Sequence, residues 1–434
     1  MNLLVTNTQY AQAYSIIRAL RPYADKIVVT MHGTTWFKAR TAHAANSRLV
    51  DRRYYVPRPE KDWLAGNIRL ENTSNEEAYV CRIEEICRLE QIDTIFPSYD
   101  PEVYIFAKNT LRLAQQGVLV VGPDYEVLRT PLDKYASVKA AERVGLPTPR
   151  TYLPASVDEL HQCADEVGPP WVIKPRFTAG SQGNRIVQRR EDLETAFVTT
   201  AARHHRPILQ EFVPGQQTQH FYLMADRHSD IRTVLCPEIV RITRRLYRNS
   251  SAAGIVHTES PYLPQVQALV REIGWWGGLT IQTKIDVRDG RPKLMEMNPR
   301  LGSSLWFRTE SGVNEPLLWL QLARGEAVGE IPPYPEGAIL LKPLEDLIGV
   351  PFELLDLLVY SMRTLIGGAA PTDPHNLPLT LVARMKTYVH DYCNQRRKII
   401  CPHTRYLFDD PLPCLLWYYG YTGYLLRGLK EHGR

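Results

Sequence analysis

The chain opens on a short apolar run at residues 3–6, followed by a helical pattern to about Leu20 and a second apolar run at residues 26–30. Further runs at 92–97 and 118–122 are separated from these by helical segments. Strands alternating with helices predict a parallel sheet covered on both faces, so residues 1–125 are expected to form a doubly wound α/β lobe. The loop after the first strand, Asn7 to Tyr10, has no glycine cluster, and a dinucleotide fingerprint is therefore absent.

A helical pattern at 131–145 carries Asp133 and Lys134 in its first turns and Gly145 at its end, ahead of Pro147 and Pro149. Strands at 171–174, 185–188 and 207–212, with a helix at 192–202, outline a small α+β lid. More strands are expected at 221–225, 233–237, 279–286 and 293–297. The last two are joined through Asp289 and Gly290, a hairpin signal. A helix at 314–325 and a proline-rich breaker at 331–335 end this unit. The organisation expected is a lobe at 1–125, a unit at 126–330 with a lid at about 150–213, and a mainly helical extension at 331–434.

Length agrees with several compact units, since 434 residues exceed what one hydrophobic core serves. The composition, 44% hydrophobic and 23% charged, is that of a globular protein. A net charge of +5 with no long Lys/Arg block argues against a nucleic-acid partner but suits anionic small molecules. Seven scattered cysteines do not form a disulfide framework, and the start lacks a basic region followed by an unbroken apolar run. A cytoplasmic location is expected, without a spanning helix.

Candidate chemistry sits in three stretches. The first, VIKPRFTAGSQGN at 172–184, leads a strand ending in Lys174 into a loop with Thr178, Gly180, Ser181 and Gly183. Glycines let backbone N–H groups approach phosphate oxygens, and the lysine neutralises triphosphate charge; an ordinary turn would use similar residues. The second, LQEFVPG at 209–215, is an apolar strand end running into a turn. Gln210, Glu211, Phe212 and Val213 there suit a purine slot with backbone donors and acceptors, or simply a buried strand. In the third, KLMEMNPRLGSS at 293–304, Glu296 and Asn298 share one strand face with Arg300 following. These are hard oxygen ligands and a cationic clamp of the kind magnesium-bound phosphates need. Gln282, Lys284 and Asp286 repeat the period-two spacing on the expected partner strand.

Together with Lys134, these stretches resemble the ATP-grasp superfamily in order, spacing and residue type over residues 1–330. Within it they look closest to the carboxylate-amine ligases and to the carbamoyl-phosphate synthetase and biotin carboxylase group. The resemblance implies ATP with Mg²⁺ or Mn²⁺ as cofactors. It implies Lys134 and Lys174 at the α- and β-phosphates, with Thr178, Gly180, Ser181 and Gly183 over the β- and γ-phosphates. It also implies Gln210 to Val213 at the adenine hinge and Gln217 near the ribose, where relatives carry Glu. Glu296 and Asn298 would hold metal, and Arg300 would stand beside the transferred phosphate, acting with Lys174 in catalysis. Gln282 replaces a common Glu, with Asp286 as a source of the missing charge, and GIVHTES at 254–260 places His257 near the cleft.

The activity implied is activation of a carboxylate as an acyl phosphate and its transfer to an amine. Carboxyphosphate chemistry on bicarbonate and a non-catalytic nucleotide-binding scaffold stand as alternatives. The acceptor is expected at the mouth of the first lobe, near Ser98, Tyr99, Asp100 and Glu102. Partners are small-molecule or peptide carboxylates and amines, with self-association into a homodimer left open. The aromatic, basic run LLWYYGYTGYLLRGLK suits either a membrane surface or helices packed on the core. His390, Cys393, Cys401 and His403 do not match a common zinc spacing.

Overall fold

The computed structural model describes residues 1–32, 42–59, 70–178, 183–215, 217–243, 250–302 and 304–341, together with 389, 399–400, 406 and 408–416. Five strands, β1 (Asn2–Val5), β2 (Lys26–His32), β3 (Arg52–Val56), β4 (Thr94–Phe96) and β5 (Leu119–Val120), form a parallel sheet in the order β3-β2-β1-β4-β5. Leu3 and Val5 enter one core while Leu4 enters the other, so both faces of β1 are buried. That explains its uninterrupted apolar run. The helix Ser74–Glu90, which periodicity left unassigned, starts on a reciprocal cap between Thr73 and Glu76 and ends at Gln91 with φ 55°.

The helix expected at 131–145 is two helices, Tyr125–Leu132 and Lys134–Arg143, broken at Asp133. The Asp133 side chain accepts from Tyr135 N at 3.0 Å, and this cap starts a new helix with Lys134 in its first turn. Next comes an antiparallel sheet ordered β6-β9-β7-β8: β6 (Thr151–Tyr152), β7 (Trp171–Lys174), β8 (Arg185–Val187) and β9 (Ile208–Glu211). It has its own small core with Leu160, Ala164, Trp171, Ile173, Leu193, Phe197 and Leu209.

The large sheet comprises β10 (Thr218–Ala225), β11 (Ile231–Leu235), β12 (Glu238–Thr243), β13 (Ser250–Ile255), β14 (Gly277–Ile285), β15 (Pro292–Asn298), β16 (Ile339–Leu341) and β17 (Ile399–Ile400). Its order is β15-β14-β10-β12-β13-β16-β17, with β11 on β10. Trp319 of the helix Glu315–Ala323 packs against β14 so closely that a Cβ on Gly277 would lie 2.1 Å from its Nε1. Glycine there, at φ +86°, is required by both space and backbone.

Tyr406 and residues 408–416 return to the first lobe. Asp410 Oδ2 accepts from Tyr14 Oη at 3.1 Å and from Ser47 Oγ at 2.5 Å, and Arg18 lies 4.2 Å over the Tyr406 ring. Most of the expected helical extension, its aromatic run from Trp417 onward and all four zinc candidates lie outside the described residues. Among the described residues, no helix is long and apolar enough to cross a membrane, and Cys81, Cys87, Cys163, Cys236 and Cys414 are free.

Candidate active site

Pairing of β14 with β15 builds an oxygen-rich surface. Gln282 lies opposite Glu296 and Thr280 opposite Asn298, and residues directly opposite share a face. Asn298 Nδ2 donates to Glu296 Oε1 at 3.4 Å, and Arg300 Nη2 donates to Asn298 Oδ1 at 3.3 Å. Arg300 Nε also reaches across to the first lobe, 3.1 Å from Asp100 Oδ2. Burial opposes the guanidinium's charge, but Asp100 and Glu296 outweigh it and hold Arg300 above its ordinary value.

Two lysines approach from the other side. Lys134 Nζ donates to the Thr178 carbonyl at 2.6 Å, and Lys174 Nζ donates to Gln210 Oε1 at 2.5 Å. Gln210 is fixed in turn by donating to Thr151 Oγ1 at 2.9 Å, which makes it a support for Lys174. Both ammonium groups are buried and both feel the Glu296 carboxylate. Burial lowers Lys134 and takes Lys174 down to about 8, because each charged form has lost its water.

A pH dependence follows from that depression. Lys174 carries its charge below about 8 and loses it above, so kcat/KM for ATP is expected to fall as pH rises through that value. The profile of Lys174→Arg, whose side chain stays protonated, should lack that fall. An identical alkaline limb in both proteins would remove Lys174 from phosphate binding.

The loop after β7 is anchored by Arg176, which forks onto Asp133 at 2.8 and 2.5 Å. Thr178 is buried beside Lys134, whereas Gly180 and Ser181 lie outside the described residues. Gly183 has φ +78°, and a Cβ there would lie 2.7 Å from Pro175 and 2.9 Å from His204. Phe212 and Val213 are buried, with the Val213 carbonyl accepting from Lys284 Nζ at 2.7 Å. The Glu211 carboxylate faces Arg288 at 2.8 Å and accepts from Arg150 N at 3.1 Å. Gln217 donates to Glu238 at 2.5 Å, and His257 lies 3.8 Å from that same carboxylate while its Nδ1 sits 2.7 Å from Glu336. These two residues therefore meet each other through Glu238.

Two expectations need correction. Asp286 lies just past the end of β14, four residues and about 13 Å along an extended strand from Gln282. It is buried and gripped by Arg288, which holds its carboxyl below the usual range, so it closes the hairpin and stands apart from Glu296. Glu102, expected near the acceptor, is enclosed by Thr6 Oγ1 at 2.7 Å, Tyr79 Oη at 2.7 Å and His32 Nε2 at 3.0 Å. Its role is to tie the first lobe together.

Sequence reasoning missed Thr151, Arg288 and His220, and put Asp133 inside a helix without its cap or its pairing with Arg176. Strand alternation could have found the last, since β10 sets His220 opposite Gln282 and hence in one row with Glu296. Burial takes that imidazole down to about 4, and its Nδ1 is enclosed without a partner.

With the geometry in hand, residues 133–326 match the family described as carbamoyl-phosphate synthase L chain, ATP binding domain. The carbamoyl phosphate synthase large chain of Thermus thermophilus is 28% identical over 275 residues, which is 60% of this chain and 27% of the relative. That of Kineococcus radiotolerans is 27% identical over 280 residues, covering 58% and 24%. The chain thus spans about a quarter of the length of these curated relatives. Among solved structures, the biotin carboxylase domain dimer of Hydrogenobacter thermophilus 2-oxoglutarate carboxylase, in complex with MgADP and bicarbonate, superposes with a TM-score of 0.60 at 18% identity, covering 78% of this chain and 73% of that one. N5-carboxyaminoimidazole synthetase from Staphylococcus aureus gives 0.56 at 11% identity, covering 78% and 80%. The L-amino acid ligase from Bacillus licheniformis gives 0.55 at 16%, covering 76% and 77%. At these identities the likeness is one of fold. Together with the match over residues 133–326, this fold supports an ATP-grasp superfamily ligase.

Proposed function

We propose that the chain uses ATP with Mg²⁺ or Mn²⁺ to phosphorylate a substrate carboxylate and transfers the resulting acyl group to an amine, releasing ADP and phosphate. The observation that carries this reading is the convergence of Glu296, Asn298 and Gln282 on one sheet face opposite two buried lysines that feel Glu296. One carboxylate and neutral amides fit a divalent ion shared with phosphate oxygens better than an all-protein cage. Among the described residues there is indeed no group of three His, Cys, Asp or Glu placed to hold a metal alone. Such an ion would supply charge compensation to the phosphates.

The remaining roles belong to the chain's own residues. Lys134 and Lys174 would take the α- and β-phosphates, with Thr178, Gly183, Gly180 and Ser181 covering the phosphates and Gln210 to Val213 flanking the base. Arg300 would meet the equatorial oxygens of the transferring phosphoryl group, where charge accumulates in the transition state. No side-chain nucleophile is needed. Gln217 and His257 belong to the outer rim of this reading, joined through Glu238.

A narrower reading puts bicarbonate in place of the organic acid, making carboxyphosphate. It is favoured by the matched family and by the bicarbonate found in complex with the Hydrogenobacter domain. Self-association has the same kind of support, since that structure is a domain dimer. ADP release measured with pools of amino acids, short peptides and uronic acids, and separately with bicarbonate, tests the proposal. Acid-dependent ADP release is expected, and bicarbonate alone giving full stimulation would favour the narrower reading. No stimulation by any acid would leave a nucleotide-binding scaffold.

A further inference from the structure

The ion pair between Asp100 and Arg300 joins the first lobe to the phosphate-binding residues across 200 positions of chain. Asp100 opens the helix Asp100–Lys108 shortly after β4, where a carboxylate suits the positive end of the helix. Its mount is rigid. Tyr99 stacks on Tyr10 with centroids 4.6 Å apart, Ser98 Oγ donates to the carbonyls of Thr6 at 2.7 Å and Asn7 at 3.2 Å, and Gln12 donates to the Ser98 carbonyl at 2.8 Å. The three contacts of the Arg300 guanidinium are unequal. Nε has the ionic one, 3.1 Å from Asp100 Oδ2, whereas Nη2 reaches Asn298 Oδ1 at 3.3 Å and Nη1 the Leu301 carbonyl at 3.4 Å. The last two are long for N–H···O bonds and are the ones a better acceptor would displace.

Exposure separates the two roles. The Asp100 side chain is 4% exposed and that of Arg300 is 17% exposed, so the carboxylate is enclosed while the guanidinium keeps some surface. We infer that Asp100 is a positioning residue, pinning Arg300 at Nε so that its two loosely held Nη groups turn to the oxygens of the transferring phosphoryl group. This rests on the phosphate role proposed above for Arg300 and adds what aims it. The Asp100 charge also reaches Lys134, so the first lobe supports two of the cations in the site. Aim matters here because charge on the phosphoryl oxygens is met by groups already in place, and a misplacement of about 1 Å costs on the order of 10² in rate.

Asp100→Ala should lower kcat for acid-dependent ADP release about thirtyfold, the worth of one hydrogen bond between charged groups, with the KM for ATP within about twofold. Asp100→Asn keeps an acceptor oxygen and should lose only about fivefold by the same reckoning. In an Arg300→Ala background either change should alter kcat by less than about twofold, since the pin has nothing left to hold. An undiminished loss in that background, or a raised KM at unchanged kcat, would overturn the assignment. Should Asp100→Ala fail to fold, Asp100→Asn completes the same cycle. Crystals of both variants with MgADP decide the matter even if no acid releases ADP. The guanidinium is expected to leave Asn298 in Asp100→Ala and to stay in Asp100→Asn, and an unmoved guanidinium in Asp100→Ala refutes the pin. Failure of every acid would sink only the ligase reading.

Discussion

Glu296→Gln is expected to lower acid-dependent ADP release by about 10³-fold and to remove most of the magnesium dependence of ADP binding. Glu296 is the sole carboxylate in the row His220, Gln282, Glu296, and its charge stabilises Lys134, Lys174 and Arg300 together. Taking that charge away weakens attraction for a divalent ion and leaves three cations to face the nucleotide. Metal-free ADP should therefore bind the variant as tightly as wild type, or more tightly. Calorimetric titration of ADP with and without Mg²⁺ checks this directly. Equal magnesium dependence in both proteins would place the ion elsewhere.

The second large effect concerns Arg300. Arg300→Ala should reduce kcat by about 10³-fold while the KM for ATP changes little, because the guanidinium is assigned to charge that develops only in transfer. Arg300→Lys should recover little of the loss. The present side chain serves Asp100, Asn298 and the Leu301 carbonyl from different nitrogens, and a single ammonium cannot reproduce that fork. Steady-state kinetics with varied ATP separate the two parameters. A raised KM for ATP at unchanged kcat would make Arg300 a binding residue only.

The sequence made the large pattern legible because both periodicities were strong. Apolar runs marked β1, β2 and β4, and the Asp289-Gly290 turn marked the β14–β15 hairpin that carries Gln282, Glu296 and Asn298. Short or exposed strands escaped: β3 has mostly solvent-facing side chains, and β6 contributes two residues. The break at Asp133 escaped because an aspartate that caps a helix also fits within one. Asp286 was misread because period two along a strand puts residues on one face without bringing their ends together. Tertiary partners such as Thr151 behind Gln210, or Arg288 on Glu211, carry no local signal at all.

The contact of Asp410 with Tyr14 and Ser47 joins positions 396 and 363 residues apart in the chain. During synthesis the first lobe emerges long before that acidic partner exists, so Tyr14 and Arg18 of its opening helix have each other but not Asp410 and Asp409 until nearly the whole polypeptide is made. Loop closure over such a span is slow relative to local pairing, which makes docking of this late segment a final event in assembly. A nascent chain halted before residue 406 would hold Lys134, Lys174, Glu296, Asn298 and Arg300 and still lack the Asp410 contacts.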